Sequence, residues 1–222
     1  MPAILQKGAN LSLSKASPGL VGVVISLGWK LPSNYSRPFD VDSSLFLLTQ
    51  QGQVRTDADL IYYNNRSSIC GSVELMGDNY TSHPASEWAS GNQLTSPDRN
   101  ASTGGSTGGS TGGSTGREDL EVIQVDLSKL PAEIFRLAFA ITIHEAASRQ
   151  QQVSLLSEVV IRICNPAGNE LVRYALPQER GRETAMILGE IYRYNNEWKF
   201  KAIGQGFDGG FAALLANFGI KV

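Results

Sequence analysis

The sequence has few of the residues on which common active sites and metal centres are built. Its 222 residues include two histidines and two cysteines. Cys70 and Cys164 are far apart in the sequence and form no Cys-x-x-Cys pair, so a zinc site of His and Cys ligands is not expected. The N-terminal residues show no apolar secretory leader. We therefore expect a cytoplasmic protein with both thiols reduced.

A long apolar run and a strong charge of either sign are also missing. No apolar stretch approaches the roughly 18 to 20 residues that span a bilayer, so no transmembrane segment is predicted and membrane association would be peripheral at most. The formal net charge is −2, with a pI of about 5.7. Such a charge gives no electrostatic reason to expect nucleic acid as a partner. The chain also has neither a Walker lysine motif nor a Gly-x-Ser-x-Gly elbow.

The sequence does contain many short β-favouring runs separated by turn residues. Examples are residues 21–29, 44–49 and 198–203. Residues 136–144 are almost wholly apolar, which predicts a central strand that is covered on both faces. Nine or ten such strands, without the strand–helix alternation of doubly wound folds, predict a mostly β, two-sheet β-sandwich. Short helices are expected as well, including one at the C-terminus around residues 211–216.

One segment differs completely from the rest in composition. Residues 81–116 are rich in Ser, Thr and Gly, and residues 102–116 repeat the unit Ser-Thr-Gly-Gly. Such a segment has little to bury and high backbone entropy. We therefore predict a single domain, 1–222, interrupted by a flexible insertion at about 82–117. The cost of closing a flexible loop rises slowly with its length, so the segments on either side could still meet.

Oxygen-bearing side chains are concentrated between residues 40 and 79. This segment holds six acids and two bases, a formal charge of −4. Asp57-Ala58-Asp59 and Asn64-Asn65 flank a β-favouring run, and Asp78-Asn79 follow a later one. Asp and Asn suit a calcium site, yet they also favour turns without binding anything. The pattern alone leaves both interpretations open. Antiparallel pairing of the two strands that follow Asp42 and Asp59 could also separate these acids.

Two further motifs support alternative functions weakly. Gly204-Gln205-Gly206-Phe207-Asp208-Gly209 fits the Gly-x-Gly-x-x-Gly pattern of nucleotide-binding proteins. Its strand belongs to a predicted hairpin, so we interpret it as the turn that lets the last helix pack. A small-ligand or nucleotide-binding module remains one alternative. His144 is interpreted as a strand-end residue. Together with the acids it leaves a metal-assisted phosphoesterase as the enzymatic alternative.

Taken together, many segments resemble the TerD family of tellurite-resistance and stress-response proteins. The resemblance covers nearly the whole chain except about 82–117. The matching segments include Leu27-Gly28-Trp29, Phe39-Asp40-Val41-Asp42, Asp57-Ala58-Asp59, Tyr63-Asn64-Asn65, Gly77-Asp78-Asn79, Val125-Asp126-Leu127-Ser128-Lys129-Leu130-Pro131, Ile141-Thr142-Ile143-His144 and Glu183-Thr184-Ala185-Met186-Ile187-Leu188-Gly189-Glu190-Ile191-Tyr192-Arg193.

The resemblance implies a β-sandwich that binds calcium, commonly at two neighbouring sites with Asp and Asn ligands. It also implies a non-enzymatic scaffold or sensor in tellurite or chemical stress resistance in the bacterial cytoplasm. The implied partners are other Ter-type stress proteins or further copies of the chain. Carried over residue by residue, the implied metal ligands are Asp42, Asp57, Asp59, Asn64, Asn65, Asp78, Asn79, Asp119 and Glu121.

The chain departs from the family pattern after Asp78-Asn79. The family usually has a compact acidic loop there that ends in Asp-Asp-Glu. This chain has the long Ser/Thr/Gly insertion instead, and Leu120 stands where the second Asp would be, between Asp119 and Glu121. We therefore expect one of the two calcium sites to be weakened or lost.

Overall fold

The computed structural model describes residues 1–32, 35, 39–77, 119–177 and 181–221. Within these residues the chain forms twelve strands and three short α-helices, joined by turns and two 3₁₀ turns. The strands are β1 (Ala3–Leu5), β2 (Asn10–Ser12), β3 (Gly22–Lys30), β4 (Val41–Leu48), β5 (Leu60–Ile61), β6 (Val73–Gly77), β7 (Asp119–Asp126), β8 (Arg136–Ile143), β9 (Glu158–Cys164), β10 (Glu170–Ala175), β11 (Ala185–Tyr194) and β12 (Glu197–Phe207). The helices are α1 (Leu13–Ala16), α2 (Ala146–Arg149) and α3 (Gly210–Asn217), and the 3₁₀ turns are Asp57–Asp59 and Val153–Leu155.

The strands form two six-stranded sheets. The first sheet has the order β1-β10-β9-β3-β7-β6, and the second has the order β2-β12-β11-β8-β4-β5. In the described residues, all neighbouring strands pair antiparallel except β1 and β10. The predicted two-sheet, mostly β fold with a C-terminal helix is therefore confirmed. The predicted flexible insertion at 82–117 lies outside the described residues.

The central strands β4 and β8 of the second sheet are buried on both faces. Side chains alternate along a strand, so Leu45 of β4 and Phe139 of β8 belong to the main core between the sheets. Their neighbours Phe46 and Ala140 point to the other face and pack with Leu214 of α3 in a second hydrophobic cluster. All residues of β8 except Arg136 at its start are buried. This confirms the prediction of a central strand covered on both faces.

Two local predictions are wrong. The β-favouring run between Asp59 and Asn64 forms only the two-residue strand β5, because the chain turns back through mutual backbone hydrogen bonds between Tyr62 and Asn65, 3.0 Å each. The predicted Gly-rich turn at 204–209 is instead strand up to residue 207. Gly206 is needed there for close packing, since a Cβ would collide with the side chain of Glu183.

Candidate cation site and adjoining cleft

The pairing of β4 with β5 separates the acids that stand close in sequence. Leu45 pairs with Ile61 and Phe46 with Leu60, antiparallel. Asp59, which precedes β5, therefore lies toward the C-terminal end of β4, whereas Asp42 lies near its N-terminal end. The predicted ligands thus fall into separate groups rather than a single cluster.

The first group lies on the loop from Asp57 to Asn65, which folds back on itself. The side-chain amide of Asn65 donates to the carbonyl oxygens of Ala58 at 3.3 Å and Leu60 at 2.6 Å. These bonds hold Asn65 beside the 3₁₀ turn that carries Asp57 and Asp59. Asp57 and Asn64 are exposed. The loop therefore offers carboxylate, amide and carbonyl oxygens within one short segment.

Asp59 differs from its neighbours because its carboxylate is buried and engaged. Asp59 is only 5% exposed. Arg55 donates to it from the backbone N at 3.0 Å, from Nε at 2.8 Å and from Nη2 at 2.7 Å. The hydrogen bond to Asp59 raises the pKa of Arg55, although partial burial opposes the shift. A cation at Asp59 would have to displace this guanidinium, so in this arrangement Asp59 does not fit a calcium ligand.

The second group gathers at one end of the first sheet. Glu121 of β7 reaches across to the second sheet, where its Oε2 accepts a 2.9 Å hydrogen bond from the backbone N of Ser43. Gly77, the last residue of β6, pairs with Val122 beside it. Asp119 begins β7, opposite Trp29. The chain segments that carry these predicted ligands are therefore backbone neighbours, whereas Asp78 and Asn79 themselves lie outside the described residues.

The chemistry of the donors fits a hard cation better than a soft one. Both groups offer oxygen atoms alone, which is the ligand type that calcium prefers. The described part of the chain contains no group of three or more His, Cys, Asp or Glu side chains placed to hold a metal ion. Any calcium site must therefore also use amide and carbonyl oxygens, or residues such as Asp78 that follow directly on β6.

A cleft of about 590 Å³ opens on the outer face of the second sheet, beside the start of α3. Asp42 and Ser44 of β4 and Thr142 of β8 line it, and Asp42 pairs with Thr142 in the sheet. His144 also lines the cleft, with Nδ1 3.9 Å from Oδ2 of Asp42. Sequence reasoning missed Ser44 and Thr142, because a hydroxyl residue inside a β-favouring run carries no local signal of function.

The glycine motif does not form a phosphate-binding loop. Gly204 and Gly206 lie inside β12, in an antiparallel hairpin with β11. Dinucleotide binding requires glycines in the turn between a parallel strand and a helix. Gly209 alone lies at the N-cap of α3, where no side chain caps the helix, and it borders the cleft.

The surroundings of the two cysteines shift their pKa values in opposite directions. Burial tends to raise the pKa of the Cys70 thiol, but hydrogen bonds with Ser68 and Ser72 outweigh it and lower the pKa overall. The Sγ atom lies 2.9 Å from Oγ of Ser72. Burial raises the pKa of Cys164 in β9. Both thiols are free.

No helix in the ranges described above is long and apolar enough to cross a membrane.

Comparison with known proteins supplies the family. The TerD domain model matches residues 1–218. The chain is 38% identical over 222 residues to tellurium resistance protein TerD of Serratia marcescens, covering 100% of this chain and 99% of that protein. It is also 38% identical over 224 residues to general stress protein 16U of Bacillus subtilis (strain 168), covering 100% of both. A solved structure of a homologue of the telluride resistance protein TerD from Streptomyces coelicolor A3(2) shares the fold, with a TM-score of 0.54 and 18% identity over 89% of this chain and 96% of that chain. The chain therefore belongs to the TerD family.

Proposed function

We propose that this protein is a calcium-binding, non-enzymatic scaffold or sensor that acts in tellurite and chemical stress resistance in the cytoplasm. The names of its relatives support the stress-related part, since they denote resistance and stress proteins rather than enzymes. The observation that carries the calcium part is the hydrogen bond from the Ser43 amide to Glu121. It fixes a carboxylate of one sheet against the other, beside the strand end from which Asp78 continues.

Calcium at this end of the sandwich would be held by Glu121 together with oxygens of Asp78, Asn79 and Asp119. In this proposal the bound cation would offset the repulsion among these carboxylates. The loop of Asp57, Asn64 and Asn65 would form the second, weaker site, because Arg55 occupies Asp59. Binding to the folded protein alone would raise its stability by RT ln(1 + [Ca²⁺]/Kd), so the stability would keep rising with calcium concentration.

We propose the role of a sensor because calcium would bind where the two sheets meet. Glu121 belongs to the first sheet and Ser43 to the second, so a cation at Glu121 acts where the two sheets meet. Calcium bound there would change the surface at that end of the sandwich. We propose that other Ter-type stress proteins, or further copies of this chain, recognise this surface.

Calcium titration by calorimetry tests the proposal, together with melting temperatures measured in calcium and in chelator. We expect micromolar binding and a higher melting temperature in calcium, with magnesium much less effective. Glu121→Gln should weaken binding at least tenfold. Glu158→Gln is the matched control, because Glu158 lies in β9 of the same sheet and pairs with Lys30 at 2.7 Å. It should leave calcium binding unchanged. Absence of binding, or an equal response to magnesium, would overturn the proposal.

A further inference from the structure

Three oxygen-bearing side chains form the floor of the cleft beside α3. Asp42 and Ser44 are two residues apart on β4, so their side chains project from the same face of the sheet. Thr142 pairs directly with Asp42 and shares that face. Phe46 and Ala140 continue the face and contact α3, which places the three oxygen-bearing side chains on the side of the sheet that the cleft occupies.

Two of these side chains have hydroxyl groups without a hydrogen-bond partner. Ser44 is 2% exposed and Thr142 is 8% exposed, and neither Oγ of Ser44 nor Oγ1 of Thr142 is bonded to any residue that the structure describes. A buried hydroxyl left unpaired destabilises a fold. Both residues line the cleft, so a ligand that donates hydrogen bonds there would give each hydroxyl a partner.

The charges around the cleft favour a cation. Asp42, Glu145 and Asp208 line it, and no lysine or arginine among the described residues does. Arg149, which does not line the cleft, pairs with Glu145 at 2.8 Å. Asp208 stands just before α3, where its charge complements the positive end of the helix dipole. An anionic ligand would therefore meet unfavourable charge at the floor.

The walls of the cleft suit an organic cation rather than a bare metal ion. The rings of Tyr62 and Phe211 are tilted by 40°, with centroids 6.0 Å apart, and aromatic faces attract ammonium groups. Ala146 and Ala147 add apolar surface. Calcium prefers six to eight oxygen ligands, whereas the floor supplies one carboxylate and two hydroxyls.

We propose that this cleft binds the primary ammonium group of a small organic amine. An ammonium has three N–H donors, and Asp42, Ser44 and Thr142 supply three acceptors from one patch of two paired strands. The aliphatic part of the amine lies against the aromatic and alanine walls. A volume of about 590 Å³ is in the usual range for small-ligand sites. The proposal does not depend on calcium binding at Glu121.

An NMR titration of the full chain in chelator tests the proposal with pentylamine and cadaverine as probes. We expect amide shifts confined to the start of β4, the end of β8 and the start of α3. The uncharged 1-pentanol should bind at least tenfold more weakly than pentylamine, because it lacks the charge that Asp42 attracts. Equal binding of amine and alcohol would overturn the proposal in favour of a purely apolar pocket.

Thr142→Val separates a ligand role from a structural one. It should weaken pentylamine binding about tenfold or more, because a hydrogen bond to a charged group is lost. It should also leave the melting temperature unchanged or higher, because the hydroxyl has no partner in the folded protein. A large fall in melting temperature, or unchanged affinity, would contradict the assignment.

Ser43→Ala is the matched control for Ser44→Ala. Ser43 is equally buried, 1% exposed, and its Oγ is likewise unpartnered among the described residues. Ser43 also borders the cleft, but its side chain alternates to the opposite face, in phase with Val41 and Leu45 of the main core. Ser44→Ala should weaken amine binding and Ser43→Ala should not. Either of two results would show that a cation binds Asp42 alone. The first is that the two substitutions weaken amine binding equally. The second is that calcium displaces the amine while Thr142→Val leaves amine binding unchanged.

Discussion

Arg55→Met tests whether Asp59 stabilises the fold rather than serving as a cation ligand. The substitution keeps an apolar side chain of similar length and removes the guanidinium. The carboxylate of Asp59 then loses its positive partner and the bonds of 2.8 and 2.7 Å from Nε and Nη2. Among the described residues, the backbone bond of 3.0 Å from residue 55 is then the one hydrogen bond left to this carboxylate. A residue that is 5% exposed would therefore carry a poorly compensated charge.

The expected loss of stability is about 2 kcal/mol. Breaking a buried ion pair costs about 3–5 kcal/mol, whereas exposed pairs contribute about 0–1 kcal/mol. The Arg55 side chain is 36% exposed and that of Asp59 is 7% exposed, so this pair lies between the two limits. For a domain of this size, a loss of about 2 kcal/mol lowers the melting temperature by about 4–8 °C.

Urea unfolding followed by circular dichroism in chelator measures the effect. The double variant Arg55→Met/Asp59→Asn should be more stable than the sum of the single variants predicts, because a neutral amide needs no cationic partner. Additive losses, or a single-variant loss below about 0.5 kcal/mol, would refute the reasoning.

The same variant distinguishes the two proposed calcium sites. Calcium can reach Asp59 only when the guanidinium of Arg55 is absent. Arg55→Met should therefore gain more stability from calcium than the unsubstituted protein does. An equal gain in both proteins would place the calcium ions away from Asp59.

Three further predictions concern other parts of the structure. Gly189→Ala should cost about 2–3 kcal/mol in urea unfolding, because a Cβ there would lie 2.5 Å from ring atoms of the buried Phe200; a loss below about 0.5 kcal/mol would contradict this. Cys70 should react with iodoacetamide faster than Cys164 near pH 8, because its pKa is lowered and that of Cys164 is raised; peptide mass spectrometry measures both rates, and a faster Cys164 would contradict the assignment. Burial raises the pKa of Glu190 above its ordinary value of 4.5, so this carboxyl stabilises the fold below that pH and loses the contribution as the pH rises through its folded pKa. Glu190→Gln should therefore raise the melting temperature near pH 7 but not near pH 4, and an equal effect at both would refute this.

Elements with a long apolar run or with clear turn residues can be predicted from the sequence. The apolar run of β8 is long enough to specify a strand covered on both faces. The hairpin of β11 and β12 turns at Asn195 and Asn196, which both adopt positive φ angles, and asparagine tolerates that conformation. The last helix contains the apolar cluster around Leu214 that packs on the second sheet. In each case local preference and tertiary packing agree.

Short elements and close contacts cannot be predicted in the same way. β1 and β5 have three and two residues, too few for any periodicity to appear. Gly206 is part of a strand because the neighbouring Glu183 leaves no room for a Cβ, and that neighbour is known only once the fold is known. Proximity in the fold, rather than local preference, determines these features.

The acidic segment shows most directly why a site cannot be predicted from charge density along the chain. Asp42 and Asp59 fall within one acidic segment, yet the antiparallel pairing of β4 with β5 directs them to opposite ends of the second sheet. There the first lines a cleft and the second pairs with Arg55. Glu121, which is 78 residues from Ser43 in sequence, accepts a hydrogen bond from its amide. Strand register therefore decides which oxygens can act together, and residues of one acidic run are expected to differ in their response to calcium.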